Sequence, residues 1–364
     1  MKPVLFAGGG TGGHLMPALA IGQAMVELDP EVRPYFVGAQ RGIEATVLPA
    51  RPWPFTLLPL EPIYRRRWWR NVRLPLSIAR SLAGARRVLA AQRPVLVVGT
   101  GGYVAGPVVW AAANRGVPVV LQEQNAYPGY ATRRLAGRAK QIHLGFPEAR
   151  RFLSTSGDVL DTGNPIVPPP LPSARPSRAQ AKRKLGFASD HALVLVFGGS
   201  QGALAINDGI DQVLAAGRWP LAASLLWQTG AGDYERCRAR EQPGRIRVAA
   251  FLDPISDAYS AADLVVCRAG AMTLAEVCAW GLPALLVPLP SAAANHQLTN
   301  ARALSEGGAA ALLEQSALSP ERIADEVSGL LADPARLADL GSAALRRARP
   351  GAAHDIARAA LRLV

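Results

Sequence analysis

Gly8-Gly9-Gly10-Thr11-Gly12-Gly13-His14 follows the apolar run 4–6, and Gly198-Gly199-Ser200-Gln201-Gly202 follows the apolar run 193–197. Each glycine loop stands between a short strand and a helical stretch. In that setting glycines let the backbone bend sharply and come close to a ligand, while the following helix N-terminus aims N–H groups at negative charge. A lone loop of this kind often only closes a tight turn. Two of them, one in each half of the chain, predict two similar domains facing a ligand cleft.

Outward from the first loop, the short apolar segments 4–6, 35–37, 95–98, 117–121 and 141–144 read as strands buried on both faces, with helical stretches between them. This alternation predicts an α/β fold with a doubly wound parallel sheet. Pro17 suits a first helical turn, Leu19, Met25 and Val26 give that helix an apolar side, and Asp29-Pro30 stops it. The second half repeats the pattern at 193–197, 224–228, 246–249, 264–267 and 284–287. Between the halves, Gly163-Asn164-Pro165-Ile166-Val167-Pro168-Pro169-Pro170, continuing through Pro172 and Pro176, reads as a stiff linker. The expected domains are 1–163 and 164–345, followed by an Ala- and Arg-rich helical tail, 346–364. Thr273 and Glu276 have capping-box spacing and predict the start of a helix that ends near Gly281.

A chain of 364 residues is too long for one ordinary core and suits two domains. Hydrophobic residues make up 49% of it, yet Pro, Gly or Arg breaks every long apolar stretch, so no membrane span is expected. The first strand runs straight into the first loop, so no signal peptide is expected. Cys237, Cys267 and Cys278 lack Cys-x-x-Cys spacing, which fits a reducing compartment and offers no zinc site. Asp-x-Asp does not occur and the five histidines form no ligand cluster, so no metal is expected.

The formal net charge of +13 implies an acidic partner: nucleic acid, anionic lipid or a phosphorylated substrate. In the window 63–73, Arg65, Arg66, Arg67, Arg70 and Arg73 lie beside Tyr64, Trp68 and Trp69 with no acid among them. As an exposed patch it suits an anionic membrane surface, where Trp settles at headgroup level. The alternative is a solvated basic face over two core tryptophans. No RNA-binding module surrounds the window, and no nucleic-acid partner is expected.

Gly8, Gly10 and Gly13 also satisfy the Gly-x-Gly-x-x-Gly spacing of a dinucleotide fold. A nicotinamide enzyme should carry a ribose-binding acid at the end of the second strand, and Val37-Gly38-Ala39-Gln40-Arg41 has none. Arg41 keeps an NADP enzyme as a minor alternative, but that reading leaves the second loop unexplained.

Taken together with both loops, Gly99-Thr100-Gly101-Gly102-Tyr103-Val104-Ala105-Gly106-Pro107, Glu123-Gln124-Asn125, Gly163-Asn164-Pro165 and Cys267-Arg268-Ala269-Gly270-Ala271-Met272-Thr273-Leu274-Ala275-Glu276 resemble the MurG family, within glycosyltransferase family 28. The resemblance covers residues 2 to about 310. It implies a GT-B fold of two Rossmann-like domains facing a deep cleft: an N-terminal acceptor and membrane-associating domain, a C-terminal UDP-GlcNAc domain, and a tail that packs back on the first. The implied reaction moves GlcNAc from UDP-GlcNAc to the 4-hydroxyl of the MurNAc unit of lipid I, with inversion. It gives lipid II in peptidoglycan synthesis, at the cytoplasmic face of the bacterial plasma membrane. The implied partners are both substrates, the anionic membrane surface and cell-wall synthesis proteins, with no cofactor. Another UDP-sugar GT-B enzyme, such as a diacylglycerol glycosyltransferase or a UDP-GlcNAc 2-epimerase, is the alternative.

By the same resemblance, Thr11, Gly12, Gly13, Asn125, Ser200, Leu252, Ala271, Met272, Thr273, Leu274, Ala275, Glu276 and Gln297 match donor-contacting positions. Glu276 would accept from the ribose hydroxyls, the backbone near Leu252 would read uracil, and Gln297 would reach the sugar. Gly10, Gly101, Gly102 and Tyr103 would form the acceptor and phosphate loop. His14 is a candidate general base, since a histidine can take a hydroxyl proton near neutrality, and its alternative role is to orient the loop. Glu123 is the second candidate. The sequence departs from the family pattern at Gln122, where histidine is usual, and at Val167, where arginine is usual.

Overall fold

A computed structural model describes residues 1–60, 74–199 and 201–364. The window 63–73, with Arg65, Arg66, Arg67, Trp68, Trp69 and Arg70, lies outside the described residues, as does Ser200. The chain forms two compact units, Met1–Val167 with Arg349–Val364, and Pro168–Ala348.

In chain order the elements begin β1 (Lys2–Gly8), α1 (Gly12–Leu28), β2 (Val32–Ala39), α2 (Glu44–Val47), β3 (Phe55–Leu58) and α3 (Leu74–Gln92). They continue β4 (Leu96–Gly101), α4 (Gly102–Ala113), β5 (Val119–Glu123), α5 (Tyr130–Leu135), β6 (Gln141–Leu144) and β7 (Asp158–Leu160). Next come α6 (Arg178–Lys184), β8 (Ala192–Phe197), α7 (Leu204–Ala215), β9 (Ala223–Gln228), α8 (Tyr234–Cys237), β10 (Ile246–Ala249), α9 (Ile255–Ala261) and β11 (Leu264–Cys267). The last are α10 (Ala271–Trp280), β12 (Ala284–Leu286), α11 (His296–Glu306), β13 (Ala311–Leu312), α12 (Pro320–Leu331), α13 (Pro334–Arg347) and α14 (Ala352–Leu361).

Both sheets are parallel, ordered β3-β2-β1-β4-β5-β6-β7 and β10-β9-β8-β11-β12-β13. In each, the first strand lies between the second and the fourth of its unit, so successive crossovers leave in opposite directions. A crevice opens there beyond the strand C-termini. β1 pairs with β2 from Lys2↔Val32 to Ala7↔Val37 and with β4 from Val4↔Leu96 to Gly8↔Gly101, which sets the first loop beside Gly101. In the second sheet Phe197 pairs with Cys267, which sets the second loop beside the start of α10.

Alternation along buried strands divides the first core in two. Leu5 and Ala7 pack with Val104 and Val108 of α4 on one face of the sheet. Val4 and Phe6 pack on the other with Leu15, Leu19 and Met25 of α1 and with Ala353, Ile356, Ala357 and Ala360 of α14. That last set follows helical periodicity, so α14 lays one apolar stripe on this core. His354 Nε2 lies 2.9 Å from Glu27 Oε2 at the α1–α14 contact.

Two helices begin elsewhere than the sequence predicts. α1 begins at Gly12 after an extended Thr11, so Pro17 lies inside the helix beyond its first turn. The Thr273–Glu276 spacing is not a capping box: α10 starts earlier, from Gly270, and both residues lie within it. The side chains instead form a capping box at Ser177 and Gln180, opening α6. Helix α10 does end at Gly281, which takes the left-handed conformation with φ 64°.

Ile356→Ala should lower stability by about 2–5 kcal/mol in denaturant unfolding, because it opens a cavity between α14 and the first sheet.

Candidate active site

At the first crevice, three glycines of the loop are there for internal packing. A Cβ on Gly8 would lie 1.8 Å from Thr100 Oγ1, one on Gly9 1.4 Å from Glu44 Oε1, and one on Gly10 2.5 Å from the Tyr103 ring. Gly12 and Gly13 differ: the nearest atoms to their Cβ positions are 3.9 Å and 3.7 Å away. Only these two leave backbone open for a ligand to approach closely.

His14, half-buried in the first turn of α1, is held on several sides. Its Nδ1 lies 2.9 Å from Thr11 Oγ1, and its carbonyl accepts from Thr100 Oγ1 at 2.7 Å. A Cβ on Gly101 would fall 2.8 Å from His14 Cδ2, and one on Gly102 would fall 2.0 Å from the Gly9 carbonyl. Close approach of backbone and imidazole therefore excludes side chains at Gly101 and Gly102, both with positive φ. The fold thus brings Gly10, Thr11, Gly12, Gly13, His14, Gly101, Gly102 and Tyr103 together at one switch point.

Glu123 occupies a different setting. It is 2% exposed, and its Oε1 accepts from the Asn125 N–H at 3.0 Å and from Asn125 Nδ2 at 3.2 Å. Its Oε2 accepts from the Gly129 N–H at 2.9 Å. The carboxylate closes the turn after β5 and is committed to it. Beside this turn runs a buried amide network: Gln122 Nε2 donates to Asn164 Oδ1 at 3.0 Å, Asn164 Nδ2 to the Gln124 carbonyl at 3.0 Å, and Gln124 Nε2 to the Thr100 carbonyl at 2.7 Å. Gln124 also donates to Gln122 Oε1. Gln122 thereby joins the linker residue Asn164 to the strand end that supports His14. Val167 is 86% exposed at the end of the first unit.

Glu44 was not marked by its local sequence. It follows β2 closely, where a dinucleotide enzyme keeps its ribose acid, but it is fully buried beneath the loop and accepts from the Gly10 N–H at 2.6 Å. A Cβ on Gly42 would fall 1.8 Å from Glu44 Oε2, and one on Gly38 2.6 Å from Glu44 Cβ. One glutamate side chain therefore accounts for glycine at 9, 38 and 42. The only signal was an acid among glycines past the expected position.

The second crevice has a similar division. A Cβ on Gly202 would lie 2.0 Å from the Thr229 carbonyl, whereas one on Gly199 would meet no atom within 4 Å. Gln228, 2% exposed at the end of β9, crosslinks this loop: its Nε2 donates to the Gly199 carbonyl at 3.1 Å and its Oε1 accepts from the Leu252 N–H at 2.9 Å. Gln228 was likewise unmarked, since it reads as the last residue of a buried strand.

Beside Gly199, Gly270 stands at the N-cap of α10, which carries Ala271, Met272, Thr273, Leu274, Ala275 and Glu276. The partial positive charge of that terminus is directed along the helix axis. Behind it Arg268, 7% exposed, donates to the carbonyls of Val287 at 3.0 Å and Pro288 at 3.2 Å, and burial holds its guanidinium below the usual range. Glu276 is half-buried, and its Oε2 accepts from the Tyr259 hydroxyl at 2.9 Å. Burial raises the Glu276 carboxyl above the usual range, with the tyrosine hydrogen bond acting the other way. Gln297, at the start of α11, accepts from the Leu289 N–H at 3.0 Å through its Oε1.

The chain matches the N-terminal domain of glycosyltransferase family 28 over residues 4–144 and the C-terminal domain over residues 193–356. It is 41% identical over 359 residues to a protein of Chlorobaculum parvum and 40% identical over 365 residues to one of Chlorobium limicola. These alignments cover 97% of both chains and 99% of both chains, respectively. Both relatives are named UDP-N-acetylglucosamine--N-acetylmuramyl-(pentapeptide) pyrophosphoryl-undecaprenol N-acetylglucosamine transferase. A crystal structure of MurG from Acinetobacter baumannii superposes with a TM-score of 0.81 at 28% identity, covering all of both chains.

Gly9→Ala should cost about 1–3 kcal/mol through overpacking against Glu44, whereas Gly12→Ala should stay within about 1 kcal/mol of the parent in thermal denaturation.

Proposed function

The chain belongs to glycosyltransferase family 28, and from that membership we propose how its residues divide the work of sugar transfer. The protein transfers N-acetylglucosamine from UDP-N-acetylglucosamine to N-acetylmuramyl-(pentapeptide) pyrophosphoryl-undecaprenol, lipid I, and so forms lipid II for peptidoglycan. In our reading the MurNAc 4-hydroxyl attacks the anomeric carbon, the bond from that carbon to the diphosphate breaks, and UDP leaves as the configuration inverts.

His14 is the general base. In the tautomer whose Nδ1–H donates across the 2.9 Å to Thr11 Oγ1, Nε2 carries the lone pair that takes the hydroxyl proton. The observation that carries this assignment is the contrast at the first switch point. His14 is held in a half-buried turn beside the open Gly12 and Gly13, while Glu123 accepts from Asn125 and Gly129 within its own turn. Glu123 is accordingly a positioning residue that shapes the turn carrying Asn125, and Gly10, Gly101, Gly102 and Tyr103 frame the acceptor side.

The second unit holds the donor. Developing charge on the diphosphate is met by backbone N–H groups at Gly199 and at the start of α10, fixed in advance, which makes them effective stabilisers of a leaving anion. Glu276 accepts from ribose. Because Gln228 already takes the Leu252 N–H, uracil reads the neighbouring backbone together with this amide. Gln297, its Oε1 held by Leu289, offers its amide N–H₂ to the sugar.

The acceptor's undecaprenol chain places the reaction at a membrane surface, and we assign the protein to the cytoplasmic face as a peripheral protein. The net charge and the Arg65–Arg67, Trp68, Trp69 and Arg70 cluster support this, as do the exposed Leu76 and Ile78 of α3 that follow. No helix among the described residues is long and apolar enough to cross a membrane.

Labelled GlcNAc should pass from UDP-GlcNAc to a lipid I analogue with release of UDP, and a failure of transfer to that acceptor would refute the reading. His14→Ala should lower kcat about 10²–10⁴-fold with little change in UDP-GlcNAc binding by calorimetry. Glu276→Ala should weaken donor binding instead; a loss of thermal stability alone would return Glu276 to a purely structural role.

A further inference from the structure

We infer that Tyr259 is the positioning residue of the ribose subsite: its hydroxyl fixes Glu276 Oε2, so that Oε1 is the oxygen presented to the ribose hydroxyls. The inference rests on the reading of Glu276 as the ribose acceptor. Tyr259, on α9, is 2% exposed, and its O–H donates to Glu276 Oε2 at 2.9 Å. The phenol ring is itself wedged between the end of β8 and the end of α10, with centroids 6.1 Å from Phe197 and 5.9 Å from Trp280. Phe197 immediately precedes the second glycine loop, so one aromatic cluster joins the strand end before that loop to the residue that holds the carboxylate.

A half-buried carboxylate with no cationic partner needs a donor to stay charged and aimed. Among the described residues no Lys, Arg or His forms an ion pair with Glu276, and the Tyr259 hydroxyl fills that place. The other titratable groups around the cluster do not compete for it. Cys267 and Cys278 are buried thiols held protonated by their surroundings, Cys278 being pushed up to about 11. Arg175 lies over the far ring, 4.8 Å from the Trp280 centroid. Asp257 of α9 pairs with Lys184 at 2.8 Å, and Arg347 lies toward Cys278. Burial and the adjacent carboxylate push the Tyr259 phenol far up, so it remains a donor at working pH.

The sign of the pH dependence follows. Burial raises the Glu276 carboxyl and the Tyr259 hydrogen bond opposes that rise. Donor binding requires the carboxylate, so it weakens as pH falls through the raised value. Removing the hydroxyl moves that weakening to higher pH.

The test is steady-state kinetics of the full chain with UDP-GlcNAc and its 2′-deoxyuridine counterpart, for the parent, Tyr259→Phe, Glu276→Ala and the double variant. Tyr259→Phe keeps the ring stack. It should raise the KM for UDP-GlcNAc about tenfold with kcat within about twofold, shift the acid limb of donor KM upward, and leave the KM for the lipid I analogue unchanged. Its preference for ribose over deoxyribose, a ratio independent of the folded fraction, should fall toward that of Glu276→Ala, and the double variant should be no worse than Glu276→Ala. A parental ratio in Tyr259→Phe beside a lost ratio in Glu276→Ala would overturn the role of Tyr259 alone. A parental ratio in Glu276→Ala would overturn the ribose reading and the inference with it.

Discussion

Each unit depends on one constraint: a parallel sheet whose first strand lies between its second and fourth must leave a crevice where successive crossovers part. No strand passes over that point, so the loops after β1 and β4, and after β8 and β11, meet at the strand ends. Backbone polar groups there find no ladder partner from a crossing strand and are satisfied by local turns or offered to ligands. The same topology, repeated, produces two crevices of different chemistry because different side chains fill the space beneath each loop.

Beneath the first loop lies a carboxylate. Glu44 takes the Gly10 N–H and fills the space that side chains on Gly9, Gly38 and Gly42 would need. This buried side chain occupies the Gly10 N–H and braces the loop from which His14 follows. Beneath the second loop the corresponding support is the neutral amide of Gln228, with the buried guanidinium of Arg268 behind the next helix start. What is packed below the backbone therefore differs between the two units, a glutamate under the first loop and a glutamine under the second.

The alternation of buried strands and helices was legible in the sequence because both sheets are covered on both faces, which makes their central strands continuous apolar runs. Strands 141–144, 246–249 and 264–267 have the bounds read from sequence. β3, β7 and β13 were not read, being short strands at or near sheet margins where the apolar run is weakest. At the site, His14 and the glycine loops were legible, but which glycines face a ligand was not. That distinction depends on Thr100, Glu44 and Tyr103, which arrive from other parts of the chain. The spacing of Thr273 and Glu276 misled for a related reason: Gly270 starts the helix, and Tyr259, distant in sequence, binds the carboxylate.

The central claim is a single displacement assisted by one base. Glu123 is tied into its turn and Glu44 is sealed beneath the loop, so neither carboxylate of the first crevice is placed to form a covalent sugar intermediate. The anomeric coupling of the transferred sugar, read by proton NMR on the product of a lipid I analogue, tests this most directly. An α-linked donor should give a β linkage, and an α linkage would require a second displacement and refute the mechanism.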